Sequence, residues 1–247
     1  MNPPDFLYPA PGRRLAFRHR RGRGPTLVFL PGYMSDMEGG KATALDSWAG
    51  SNGRSMLRFD YAGCGLSEGA FEDQTLPGWR DDALAMIDSV EGPVVLVGSS
   101  LGGWLMLLAA LARPGRVAAL VGIASAPDFT DWGFDEAQKR TLREAGRVEE
   151  PSPYGNSPYV TTRAFWESGE ALKLLGGAIP IHCPVRLLHG LDDSDVPWRI
   201  SIRLVERLES PDVRTILVKD GDHRLSRPGD IALLIETVEG LVPDKDA

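Results

Sequence analysis

The tightest constraint on this chain is the octapeptide Leu96-Val97-Gly98-Ser99-Ser100-Leu101-Gly102-Gly103. An apolar run over 94–97 enters a Gly-x-Ser-x-Gly pattern at Gly98, Ser100 and Gly102, and a helix-forming stretch over 104–111 comes at once after it. A strand that turns so sharply into a helix strains the backbone at the corner, so the positions two residues to either side must lack side chains. Gly98 and Gly102 meet that need, and Ser100 is the residue held up. Its hydroxyl then stands at a helix N-terminus, where backbone N–H groups converge on developing negative charge. The pentapeptide alone also fits an ordinary glycine-rich turn. Its chemical meaning comes from the strand before it and the helix after it.

Around this corner strands and helices alternate. Thr26-Leu27-Val28-Phe29-Leu30, stopped by Pro31-Gly32, reads as a strand buried on both faces, and 54–61, 117–124, 184–188 and 213–218 read as further strands. Trp79, Ala83, Met86, Ile87 and Val90 share one helical face, which makes 77–91 an amphipathic helix with proline in its first turn. Weaker signals mark a helix near 39–49. Ile200, Leu204, Val205 and Leu208 mark another, and Ile231, Leu234, Ile235 and Val238 the last. The stretch 13–21 alternates loosely and reads as an antiparallel edge hairpin with the segment after it. The pattern predicts an α/β fold with a mostly parallel central sheet, helices on both faces, and a site at the carboxyl ends of the strands. With 247 residues and 43% hydrophobic content, one domain over 1–247 is expected. Roughly sixty residues separate the strands 117–124 and 184–188, too many for a connecting loop. They are rich in proline, charge and aromatics (Phe129, Trp132, Phe134, Tyr154, Tyr159, Phe165, Trp166), so 127–181 is expected to be a helical cap inserted in the domain.

Composition narrows the function classes. A net charge of −7 argues against a general binder of nucleic acid or anionic membrane, because both need a positive field. Arg13, Arg14, Arg18, Arg20, Arg21 and Arg23 are interleaved with Leu15 and Phe17 and read as a solvated strand pair rather than a targeting peptide. No secretory core precedes them and no apolar run reaches membrane-spanning length, so a cytoplasmic compartment and no membrane span are expected. The two cysteines, Cys64 and Cys183, form neither a disulfide framework nor a metal-ligand spacing. Gly63-Cys64-Gly65 carries Glu68 where a dinucleotide fingerprint needs its third glycine. Gly40-Lys41 is succeeded by Ala42 where a phosphate loop needs Ser or Thr. No cofactor and no metal are expected.

A serine hydroxyl is a poor nucleophile at neutral pH and needs an imidazole base oriented by a carboxylate. Of four histidines, His19 lies in the arginine-rich edge and His182 at the exit of the insertion, while His189 closes a strand and reads as structural. His223 remains. It sits in Asp220-Gly221-Asp222-His223, a loop just past the strand 213–218, and is the expected base. The acid must leave the sheet between elbow and histidine, where Asp192, Asp193 and Asp195 compete. The spacing His189-Gly190-x-x-Asp193-x-x-Val196-Pro197 favours Asp193, with Asp192 and Asp195 left to cap the loop or meet solvent. The oxyanion needs two backbone donors. These are expected to be the N–H of Leu101, after the nucleophile, and the N–H of Tyr33 in the loop Pro31-Gly32-Tyr33-Met34, with Met34 as the alternative.

Taken together, several motifs carry a resemblance. They are Leu30-Pro-Gly-Tyr-Met-Ser-Asp-Met-Glu-Gly-Gly-Lys41, Arg58-Phe-Asp-Tyr61, Trp79-Arg-Asp-Asp82, Gly98-Ser-Ser-Leu-Gly-Gly-Trp-Leu-Met106, Arg186-Leu-Leu-His-Gly190 through Val196-Pro-Trp198, and Asp222-His-Arg224. From Leu30 to the last helix the chain resembles, as a bacterial-type relative, the mitochondrial α/β-hydrolase family of palmitoyl-protein thioesterases and mycophenolic acid acyl-glucuronide esterases. The resemblance implies an α/β-hydrolase fold, Ser100, Asp193 and His223 as triad, and hydrolysis of acyl esters or thioesters on a small molecule or an acylated protein. Peptidase, acyltransferase and carbon–carbon hydrolase chemistry run on the same fold, as does non-catalytic acyl binding, so the fold by itself does not choose among them. Neither acyl length nor oligomeric state is encoded in these motifs.

Overall fold

A computed structural model describes residues 3–151 and 158–242; Tyr154 lies outside them. The first half runs β1 (Asp5–Ala10), β2 (Arg13–Arg20), β3 (Arg23–Leu30), α1 (Gly40–Ser51), β4 (Arg54–Phe59), α2 (Leu76–Asp88), β5 (Val94–Ser99) and α3 (Leu101–Ala112). After β6 (Val117–Ile123) come α4 (Phe129–Trp132), α5 (Glu136–Ala145), β7 (Arg147–Glu150), β8 (Tyr159–Thr162) and α6 (Arg163–Glu170). The chain then closes with β9 (Val185–Gly190), α7 (Arg199–Arg207), β10 (Val213–Val218) and α8 (Pro228–Glu239). The main sheet has eight strands in the order β1-β2-β4-β3-β5-β6-β9-β10. Pairing is parallel from β4 to β10, and β2, antiparallel to both β1 and β4, is the strand of this sheet that runs against the others.

Alternation along the central strands sends successive side chains to opposite faces. Val28, Leu30, Leu57, Phe59, Leu96, Leu120 and Leu187 pack beneath α2, α3 and α7, with Trp79, Met86, Leu105, Ile200 and Leu204. Leu27, Phe29, Met56, Val95, Val97, Val121 and Leu188 pack beneath α1 and α8, with Leu45, Leu234 and Val238. Both faces are apolar because both are covered, which is why these strands read as unbroken hydrophobic runs. Among the described residues no helix is long and apolar enough to cross a membrane.

The structure departs from the sequence pattern in three places. The hairpin of β2 is formed with the strand before it: β1 and β2 meet across Pro11-Gly12, with Gly12 at φ 73°, a turn in which proline fixes the first corner and glycine supplies the positive φ of the second. The segment between β6 and β9 is not purely helical, because β7 and β8 pair as an antiparallel ribbon from Arg147↔Thr162 to Glu150↔Tyr159. Alternation over only four residues a side gives that ribbon no readable period. A small core of Phe134, Leu142, Val148 and Trp166 joins it to α5 and α6.

The arginine-rich edge is also more than a solvated face. Arg18 pairs with Glu38 and Arg20 with Asp46, while Arg13 holds the buried Asp82 of α2 through both carboxylate oxygens. Asp82 also accepts the N–H of Ala62 at 3.0 Å. Burial pushes the Asp82 carboxyl up from its ordinary value despite these bonds. Removing Arg13 would leave that charge buried and unpaired, so Arg13→Ala is expected to cost about 3 kcal/mol at neutral pH in urea unfolding. A carboxyl whose folded-state value is raised is penalised above that range and relieved below it. The deficit should therefore shrink as pH falls and Asp82 takes up a proton.

Candidate active site

The corner between β5 and α3 is built as its glycines require. Ser100 has φ 55° and ψ −119°, in the left-handed half of backbone space that a residue with a Cβ enters only under strain. A Cβ on Gly98 would come within 2.7 Å of the Gly102 carbonyl carbon. One on Gly102 would run into the Leu30 carbonyl, with the carbon at 2.7 Å. Hydrogen bonds clamp the strained residue from both sides: the Ser100 N–H donates to Ile123 at 2.8 Å, and the Ser100 carbonyl accepts from Gly103 at 2.9 Å and Ala126 at 3.0 Å.

The histidine and acid loops leave the neighbouring strand ends and are stitched together. The Leu191 N–H donates to Val218 at 2.8 Å and the Asp192 N–H to Gly221 at 3.0 Å, with Gly190 lying against Gly221 too closely for any side chain. His223 therefore hangs over the end of β5. Its Nε2 is 3.1 Å from Ser100 Oγ and its Nδ1 is 2.9 Å from Asp193 Oδ2. Lys41 ties the histidine loop to α1 by donating to the Arg224 carbonyl. Burial, with the Arg224 charge behind it, pushes the Lys41 ammonium down to about 8.

Asp193, not Asp192 or Asp195, is the carboxylate brought to His223, and its side chain is fully buried. Oδ1 accepts the N–H groups of Asp195 at 2.9 Å and Val196 at 2.8 Å. Oδ2 receives His223 and lies 3.1 Å from Nε2 of His189, whose ring is also buried. Because the Val196 carbonyl, 2.9 Å from that same nitrogen, can only accept, Nε2 of His189 carries a proton. Nδ1 then accepts from the Ser201 hydroxyl at 2.7 Å. His189 is structural, as its place at a strand end suggests, but it braces the acid directly, and only its position four residues before Asp193 hinted at this. Burial by itself would raise the Asp193 carboxyl. The bonds from His189, His223 and Val196 outweigh it and hold the group well below the usual carboxylate range.

The loop after β3 lies against the elbow: a Cβ on Gly32 would meet the Ser99 carbonyl oxygen at 3.3 Å and Ser100 Cβ at 3.4 Å. Neither the Tyr33 nor the Leu101 N–H is bonded to a protein acceptor among the described residues. Above Ser100 and His223 opens a cleft of about 630 Å³ whose lining includes Tyr33, Met34, Phe129, Trp132, Phe134 and Tyr159. Phe165 and Trp166, aromatics of the same segment, are buried as packing. Cys64 is buried too, and desolvation pushes its thiol up to about 12, which suits a turn residue and not a nucleophile.

A family model described as the alpha/beta hydrolase family matches residues 27–232. The mouse protein named palmitoyl-protein thioesterase ABHD10, mitochondrial, is 45% identical over 243 residues, covering 96% of this chain and 82% of the relative; its human counterpart is 43% identical over 233 residues, covering 92% and 76%. The solved structure of the mouse protein superposes with a TM-score of 0.90 at 42% identity, covering 96% of this chain and 97% of that one. A putative hydrolase from Agrobacterium vitis S4 superposes at 0.91 with 38% identity, covering 97% and 98%. The cytoplasmic compartment expected from the sequence is overturned here, since the mouse and human relatives are both named as mitochondrial proteins.

A carboxylate held below its unfolded value stabilises the fold above the ordinary carboxylate range and loses that contribution as pH falls through it. Asp193→Asn orphans at least one buried donor and is expected to cost about 2 kcal/mol at neutral pH. In denaturant titrations the gap from the parent should narrow below about pH 4.

Proposed function

The chain belongs to the alpha/beta hydrolase family and acts on ester or thioester bonds, and from that premise we propose that Ser100, His223 and Asp193 perform the hydrolysis as a catalytic triad. The observation that carries this reading is the unbroken chain of contacts from Ser100 Oγ to His223 at 3.1 Å and from His223 to Asp193 at 2.9 Å, at the floor of the cleft. With Asp193 ionised and accepting from Nδ1, the imidazole keeps its proton on that nitrogen and presents Nε2 as the base. Ser100 Oγ attacks the acyl carbonyl carbon while its proton passes to Nε2, and the carbonyl electron pair moves onto oxygen. The N–H groups of Tyr33 and Leu101 receive that oxyanion. Collapse expels the alcohol or thiol, which takes the proton from Nε2, and leaves an ester on Ser100. Water, deprotonated by His223, then attacks this acyl-enzyme and releases the carboxylic acid.

The relatives' name, palmitoyl-protein thioesterase, and the aromatic lining of Phe129, Trp132, Phe134 and Tyr159 support an apolar acyl chain as substrate, on a small molecule or a protein. The segment 127–181 is the cap of this pocket in our reading, since it supplies those four rings. No cofactor enters the scheme.

Labelling with a fluorophosphonate probe tests the nucleophile. The parent should label and Ser100→Ala should not; equal labelling of both would remove Ser100 from the reaction. Ser100→Ala and His223→Ala are each expected to lower kcat by about five to six orders of magnitude, and Asp193→Asn by about four, on p-nitrophenyl esters and on matched thioesters.

A further inference from the structure

Tyr33 has two roles that point in opposite directions. Its backbone N–H is the oxyanion donor in the triad reading above, on which this inference rests, while its side chain leaves the active-site loop and enters the inserted segment. The phenol hydroxyl donates to the Val160 carbonyl of β8 at 2.6 Å. The ring stands edge-on or tilted to Phe129, Tyr159 and Phe165 of the insertion, with centroids 5.9, 6.3 and 5.2 Å away, and edge-on to Phe71 and Trp79 of the body at 5.1 and 5.9 Å.

Beyond the turn bond from the Ser35 N–H to the Gly32 carbonyl at 3.2 Å, the loop carrying this donor relies on contacts outside itself. Met34, the next residue, has φ 53°. A non-glycine residue there costs on the order of 1 kcal/mol and persists only where its surroundings enforce it. One restraint is on the body side: the Met37 N–H donates to the buried Asp60 carboxylate at 2.7 Å. The other is the Tyr33 phenol in the insertion. The peptide that bears the donor N–H is held at its Gly32 carbonyl by the turn bond and leads directly into Tyr33, so the anchoring of the Tyr33 side chain bears on its direction.

We propose that the inserted segment sets the oxyanion hole: the hydrogen bond from Tyr33 to the Val160 carbonyl aims the Tyr33 N–H, so the hole is complete only while β8 sits over the loop. Tyr33 is then a positioning residue through its side chain as well as an oxyanion donor through its backbone. Seating of the insertion and stabilisation of the transition state are one event. A substrate that keeps β8 in place gains kcat rather than affinity alone.

Tyr33→Phe tests this by deleting one oxygen and keeping the ring. A small misdirection of an oxyanion donor costs tenfold or more, so kcat should fall by about tenfold to a hundredfold while KM stays within about twofold. The factor should be at least as large for an eight-carbon acyl ester, which reaches the aromatic pocket, as for an acetyl ester, which is too short to do so. The second-order rate of fluorophosphonate inactivation should fall with it. The midpoint of thermal unfolding should drop by only about 2–4 °C, as for one lost hydrogen bond. Placing 4-aminophenylalanine at position 33, which restores a donor, should recover most of kcat. The proposal is overturned if Tyr33→Phe keeps kcat within about twofold of the parent, if the loss is confined to KM for the longer ester, or if the amino group fails to rescue. An inert Ser100→Ala alongside an unimpaired Tyr33→Phe would sink this coupling and leave the triad standing. A Ser100→Ala that still turns over would remove the triad itself.

Discussion

Ser100 is held at φ 55°, and every other part of the site is arranged around the cost of that conformation. Such a residue is strained by on the order of 1–3 kcal/mol, and the strain lifts its hydroxyl clear of both the strand and the helix. Three backbone hydrogen bonds, to Ile123, Gly103 and Ala126, hold it there. Gly98 and Gly102 remove the side chains that would collide, and the absence of a Cβ on Gly102 lets the loop after β3 close over the corner. One backbone constraint thus positions the proposed nucleophile and the proposed oxyanion loop together. Oxyanion stabilisation needs that proximity in advance, because donors that must move at the moment of reaction lose much of their effect.

The acid and the base are placed by a second device, the parallel pairing of β9 with β10 from Val185↔Val213 to Gly190↔Val218. Two strands ending in register deliver two loops side by side, and the contacts of Leu191 and Asp192 with Val218 and Gly221 fuse them. A buried carboxylate would tend to protonate, which would spoil it as an orienter of imidazole. Four donors prevent this: two backbone N–H groups on one oxygen, and His223 and His189 on the other. His189 is fixed in turn by Ser201 and Val196, so Asp193 is gripped from the core side as firmly as from the active-site side.

Legibility in the sequence tracks which forces are local. The elbow at Gly98, Ser100 and Gly102 is a steric requirement written in five consecutive residues, and the order of Ser100, Asp193 and His223 comes from strand ends that hydrophobic runs mark clearly. In the structure Gly98 and Gly102 flank the strained Ser100, and Ser100, His223 and Asp193 lie within hydrogen-bond distance in series. The partner of β2, the β7–β8 ribbon, the ion pair of Arg13 with Asp82 and the bracing of Asp193 by His189 depend on contacts between distant segments, for which a period or a propensity carries no information. Arg13 and Asp82 are 69 positions apart, and an arginine on an alternating strand looks solvated until its partner is known. The aromatics of the insertion were ambiguous for the same reason: Phe129 and Tyr159 line the cleft while Phe165 and Trp166 fill the core beside it, and composition does not separate them.

The division between sheet and insertion also bears on how selectivity arises. The proposed triad lies entirely on loops from the sheet, whose geometry is fixed by strands buried on both faces, so it has little freedom to respond to what is bound. The rings facing the cleft come largely from the insertion, which has a small core of its own, packs Phe165, Leu175, Ile179 and Ile181 into the main core, and meets the body through polar contacts that include Arg147 with Glu72, Ser168 with Leu76 and Tyr33 with Val160. Exposed ion pairs such as the first are worth well under about 1 kcal/mol. The buried phenol bond and its ring contacts are therefore the stronger tie of the two, and they end on the residue whose N–H is the proposed oxyanion donor. With Tyr33 as one of the joints between lining and oxyanion loop, the proposed coupling lets acyl-chain binding be expressed in the rate of reaction as well as in affinity.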